Sequence, residues 1–158
     1  MGVRTSLTPL RIALVAAVGA ALVAAGGSSA APTGARHLTK SATVQTRTVK
    51  KLGTILVNSK GFTLYIFVPD HHRAVTCKST CASIWPPLKV KKGQKPTAGG
   101  AARKKLLGLD GRVVTYNHWP LYTYVTDKRP GQTTGQGVNN FGLWYVISPS
   151  GKVIKTKR

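Results

Sequence analysis

The sequence predicts an all-β fold, mainly antiparallel, in which two tandem β-rich repeats of about three strands each pack as one small domain with minor helical turns. Three observations predict it. The segment GFTLYIFVPD at Gly61 to Asp70 returns as HWPLYTYVTD at His118 to Asp127, each matched residue 57 positions on. A fixed period in a chain marks one supersecondary unit used twice. Both copies are flanked by short β-branched and aromatic runs, and those runs are separated by turn sequences such as Asn58-Ser59-Lys60-Gly61 and Asp110-Gly111.

In chain order, residues 1–30 read as a signal peptide. Arg4 and Arg11 precede an apolar run from Ile12 to Ala25, and the small-residue stretch GGSSAAP follows. The run has 14 residues, short of the roughly 20 that a spanning helix needs. Cleavage is expected after Ala30 or Ala31. No cysteine follows the run, so no lipid anchor is expected there. Residues 31–51, rich in Thr, Ser, Ala and basic residues without a hydrophobic period, read as a disordered basic arm.

A single domain is expected over 52–154, with repeats at 52–90 and 107–154, a basic loop at 91–106 and a basic tail at 155–158. LGTILVNSKGFTLYIFV reads as a hairpin, and RVVTYNHWPLYTYV repeats it. Pro120 stands just before the second inner strand, where a missing amide donor does little harm. Leu64, Ile66 and Val68 fall on one face of the first inner strand, and Tyr65 and Phe67 on the other. Both faces are apolar, as in a strand covered on both sides. The loop reads as a solvated connection with one helical turn near Ala101 to Leu107, and Pro149-Ser150-Gly151 as a turn between the last two strands.

Charge bounds the partners. The chain has 24 Lys and Arg against three acids, for a formal net charge of +21. In an exported protein this favours wall polymers, acidic membrane surfaces and other polyanions. Specific nucleic-acid recognition is not expected, because the basic residues lie in several tracts and form no reading helix.

The three acids are Asp70, Asp110 and Asp127. Asp110 is explained by its Asp-Gly turn. Asp70 and Asp127 close the two repeats, where each carboxylate can accept backbone N–H bonds or a tyrosine hydroxyl. The alternative is that the two converge, to bind a cation or to work as the acid and base pair of an enzyme. Cys77 and Cys81, an even pair in an oxidising compartment, read as a disulfide. The alternative there is a metal or redox site using His71, His72, Cys77 and Cys81. His118 reads as a turn residue. No nucleophile elbow or cofactor fingerprint is present, so neither catalysis nor a cofactor is expected. The aromatic set of Tyr65, Phe67, Trp85, Tyr122, Tyr124 and Trp144 suits core packing, or sugar stacking if exposed.

The pair LYIFVPD and LYTYVTD, with CKSTCASIWPPL after the first and GQGVNNFGLWYVISPSG after the second, resembles a bacterial secreted-repeat family marked by tyrosine-x-aromatic-x-x-aspartate. Many of its members are predicted lipoproteins, and the family is uncharacterised. The resemblance covers about Leu52 to Val153. It places Tyr65, Phe67 and Asp70 in the first motif and Tyr122, Tyr124 and Asp127 in the second. It implies an exported, envelope-associated repeat protein and no reaction. The missing lipid-anchor cysteine and the basic charge point instead to electrostatic retention. The expectation is therefore a secreted, noncatalytic, monomeric protein at the cell envelope, binding anionic polymers through its basic surface.

Overall fold

The computed structural model describes Gly2, residues 43–71 and residues 74–156. Most of the expected signal peptide and arm, His72, Arg73 and the end of the tail lie outside the described residues. Among those described, no helix is long and apolar enough to cross a membrane.

Among the described residues, eight strands form three small antiparallel sheets. β1 (Val44–Val49) pairs with β2 (Gly53–Asn58). β3 (Tyr65–Phe67) pairs with β7 (Trp144–Ile147), which pairs with β8 (Val153–Ile154). β4 (Leu107–Asp110), β5 (Val113–Tyr116) and β6 (Trp119–Pro120) make the third sheet. One short helix, α1 (Thr80–Ile84), lies between β3 and β4. The all-β, two-repeat expectation holds, with the strands divided unevenly: β2 and β3 fall in 52–90, and β4 to β8 in 107–154.

The turns follow from their residues. Asn58 Oδ1 accepts the Lys60 and Phe62 amides at 2.9 and 3.0 Å, closing the turn the sequence marked. β5 and β6 are joined by Asn117 and His118, at φ 46° and 69°. Positive φ at both central residues is the primed hairpin turn, whose twist matches the strands it joins. His118 is thus a turn residue.

Two expectations are corrected. The disordered arm does not extend to Lys51: residues 44–49 are β1, paired with β2 from Val44↔Asn58 to Val49↔Gly53. Val and Thr favour the pleated surface, and Val44, fully buried, anchors the strand. The segment 91–106 is more than a solvated connection. The Val44 amide donates to Thr97 O and the Gly99 amide to Val44 O, while Ala101 N–H reaches Thr46 Oγ1. Its helical turn is a 3-10 turn at Lys104–Leu106.

Alternation along β3 divides the interior. Leu64 and Ile66 enter one apolar cluster with Leu56, Val114, Tyr116, Leu121 and Ile147. Tyr65 and Phe67 enter the other with Ile55, Trp85, Tyr122, Trp144 and Val146. Each face of the strand therefore has its own core, as two apolar faces required.

Candidate functional site

The second core holds the repeated motif. Tyr65 and Tyr122 exchange backbone hydrogen bonds, with the Tyr65 amide to Tyr122 O at 2.8 Å and the Tyr122 amide to Tyr65 O at 2.9 Å. That antiparallel bridge puts the same residue of the two repeats face to face. Their side chains then cross. The Tyr65 hydroxyl donates to Asp127 Oδ2 at 2.7 Å, and the Tyr122 hydroxyl donates to Asp70 Oδ2 at 2.6 Å.

Each second carboxylate oxygen closes the loop that follows it. Asp70 Oδ1 accepts the Thr76 amide at 2.8 Å and its hydroxyl at 2.7 Å. Asp127 Oδ1 accepts the Thr134 amide at 2.9 Å and its hydroxyl at 2.5 Å. Both acids are buried, at 0% and 4% exposure, and their oxygens are occupied, which is how a buried carboxylate is tolerated. Burial, and after it the Asp70 hydrogen bond and charge, hold the Tyr122 hydroxyl well above its ordinary pKa.

Pro69 is the middle residue of the one-turn 3-10 segment Val68–Asp70, in which Asp70 is buried. In the first repeat the following loop is clamped by the Cys77–Cys81 disulfide, whose Cα atoms are 5.2 Å apart. The second repeat lacks cysteines. Arg129 N–H donates to Gln132 Oε1 there, while buried Gln136 donates to Ile154 O and Thr156 O and accepts from Val146 N–H. Gln136 was missed from sequence, having no neighbour pattern that marks it. Tyr116 was missed likewise: its hydroxyl donates to Pro149 O and accepts from the Arg103 amide.

Four rings form a continuous stack. Phe67 lies on Trp144 with centroids 4.3 Å apart, Trp144 on Trp85 at 3.9 Å and 3° between planes, and Trp85 on Tyr124 at 3.9 Å. Tyr65 meets the edge of Trp85 at 5.4 Å, and Tyr122 that of Trp144 at 5.2 Å. Phe67 and Tyr124 are equivalent in the repeat, so the stack has the same approximate two-fold relation as the tyrosine bridge. Only Tyr124 among the six is more than marginally exposed, and a sugar-stacking platform is not formed.

The metal and redox alternative is corrected where the structure describes it. Cys77 and Cys81 are joined, so neither is available as a thiolate ligand, and no cluster of three or more metal-ligating side chains occurs among the described residues. His71 is exposed at the end of the 3-10 turn, and His72 is outside the described residues.

The surface differs sharply from the core in charge. Every described Lys and Arg is exposed, whereas Asp70 and Asp127 are buried and Asp110 is half-buried. A groove of about 320 Å³ between β1 and the Asn58 turn is lined by Thr46, Arg47, Asn58 and Lys60. Arg47 also lies over Gly131, where a Cβ would meet its Nη1 at 3.1 Å, and Gly61 in the groove faces Pro130, so the Pro130–Gly131 segment adjoins the same groove.

A model of the family described as a secreted repeat of unknown function matches residues 46–89 and 109–148, more than half of the chain. No curated protein and no solved structure matches it.

Proposed function

The chain belongs to this family of secreted repeats, and we propose that it is a noncatalytic binding protein that is retained at the cell envelope by anionic polymers. The observation that carries the reading is the separation of charge. Two of the three acids are turned into the core to hold the repeats together, while the described Lys and Arg all face solvent. What remains outside is an almost purely cationic field, which draws in a polyanion and raises its local concentration.

The groove beside Arg47 and Lys60 supplies a place where two cations and the Asn58 side of the turn face one channel. A phosphodiester polymer suits it, because arginine offers paired donors and lysine a compact charge to successive phosphates. Catalysis by Asp70 and Asp127 is disfavoured by the same geometry. Their oxygens are engaged by tyrosine and threonine in a buried core.

The test is binding of the purified protein to poly(glycerol phosphate) and to an uncharged polysaccharide of similar length, across a salt series. The reading expects saturable binding to the phosphate polymer that persists at moderate salt and weakens in Arg47→Ala/Lys60→Ala. Binding that collapses at moderate salt, as screening of a diffuse charge would give, or equal binding to the uncharged polymer, would overturn it.

A further inference from the structure

In the aromatic core a carboxylate stands against two phenols, Tyr65 and Tyr122, and against neither stacked indole. Tyr65 and Tyr122 each donate a hydrogen bond of 2.7 Å or less to a carboxylate oxygen. Trp144 Nε1 donates to Asn140 O, an amide carbonyl of negligible basicity. Trp85 Nε1 is buried and has no partner among the described residues. The two indoles are themselves stacked in van der Waals contact, and each meets one of the tyrosines edge to face.

This arrangement decides what happens to a missing electron. An indole radical cation in this core is a buried charge with no base to take its proton, which is costly. A phenol loses an electron readily only as its proton leaves, and here a carboxylate stands at hydrogen-bond distance to receive it. The hole therefore runs from tryptophan to tyrosine. We propose that the stack conducts one oxidising equivalent from the Trp85–Trp144 pair to Tyr122 or Tyr65, which holds it as a phenoxyl radical with Asp70 or Asp127 carrying the proton.

The step balances. A diffusible oxygen- or nitrogen-centred radical of the extracellular space takes one electron from the pair by way of Tyr124, the half-buried ring that brings the stack toward the surface. The oxidant is reduced by one electron, and the pair becomes a radical cation. Tyr122 passes an electron to it and its phenolic proton to Asp70 Oδ2. The products are neutral indole, neutral phenoxyl and a carboxylic acid, with no heavy-atom bond made or broken. A one-electron reductant such as ascorbate reverses the step, the proton returning from the acid to the phenol. Tyr65 and Asp127 offer the equivalent route in the other half. The activity is a one-electron buffer and is independent of polymer binding.

The test uses Trp119→Phe, in which Trp85 and Trp144 are the only tryptophans. Tryptophan-selective laser flash photolysis ejects an electron, which is trapped by nitrous oxide with tert-butanol present, and transient absorption follows the indole and phenoxyl radicals. The expected result is decay of the indole radical matched by phenoxyl growth, at a rate independent of protein concentration and slower in D2O. Adding Tyr65→Phe and Tyr122→Phe abolishes the growth and lengthens the indole radical lifetime by roughly tenfold or more, a barrier rise of about 1.4 kcal/mol. Phenoxyl growth that survives both substitutions, that scales with protein concentration, or that keeps its rate in D2O would overturn the proposal. The last two readings need no tyrosine variant, so they decide the matter even if the double variant does not fold.

Discussion

Tyr65 and Tyr122, one repeat length apart in sequence, are hydrogen-bonded to each other through their backbones while each hydroxyl reaches the aspartate of the opposite repeat. The two halves are therefore locked reciprocally. Neither repeat can satisfy its own carboxylate without the other, which makes the motif an interlock between units.

Removing one hydroxyl leaves one carboxylate oxygen buried and unpaired. Tyr122→Phe is expected to cost about 1.5–3 kcal/mol, the range for hydrogen bonds to charged groups. Tyr65→Phe should cost a similar amount, since its bond to Asp127 is of similar length. A double-mutant cycle of Tyr122→Phe with Asp70→Asn should show coupling, whereas Tyr122→Phe with Asp127→Asn should be nearer to additive. Urea unfolding measures both, and stronger coupling within a repeat's own Tyr–Asp pair would contradict the crossing.

That crossing was not legible in the sequence. Tyr65 and Asp70 are five residues apart, and spacing alone makes the nearest partner the obvious one. Choosing the partner 62 residues away instead requires knowing that β3 approaches Tyr122 and pairs with β7, a long-range fact. The two faces of β3 were legible, because alternation is local and Leu64, Ile66, Tyr65 and Phe67 had only two sides to occupy. β1 was not. Gln45, Thr46, Arg47 and Thr48 give it no hydrophobic period, and its order comes from pairing with β2 and from Thr97 and Gly99.

The raised pKa of the Tyr122 hydroxyl has a defined pH signature. Its folded-state value lies above the ordinary 10.0 because of burial first and Asp70 second. The folded state thus retains a proton that the unfolded chain releases. The contribution is complete below pH 10 and is lost as pH climbs toward the folded value, with a limiting slope of about 1.4 kcal/mol per pH unit from this group. Denaturation measured from pH 8 to 11.5 should show stability falling above pH 10. Tyr122→Phe should flatten that limb, and an unchanged limb would assign it to other groups.

The disulfide bears on one repeat. Cys77 and Cys81 enclose a loop with a sequence separation of 4, for which chain entropy gives about 2 kcal/mol. Cys77→Ser/Cys81→Ser should lower stability by about that amount. Its effect should centre on the Thr76 to Asp70 bonds, because Cys77 is the residue after Thr76. Amide exchange is then expected to quicken at Thr76 well before Thr134, whose loop is held by Gln132 and Gln136. Equal loss of protection at both threonines would mean that the disulfide supports the whole core.

Gly135 tests how tightly the stack is confined. A Cβ there would come within 2.7 Å of Trp85 Cη2 and 2.9 Å of Tyr65 Cζ, both ring atoms. Trp85 has nowhere to retreat in the stacking direction, because Tyr124 and Trp144 lie on its two faces at 3.9 Å. Tyr65 is held at its far end by Asp127. Gly135→Ala is therefore expected to cost about 1–3 kcal/mol through overpacking, and to disturb the near-ultraviolet circular dichroism of the coupled indoles. Gly111 supplies the contrast. It has φ +56° and open space around it, so Gly111→Ala strains the backbone and leaves the aromatic signal intact. If the two substitutions changed the aromatic spectrum equally, or Gly135→Ala left both spectrum and stability unchanged, the ring stack would not be the rigid element that the contacts at Gly135 require.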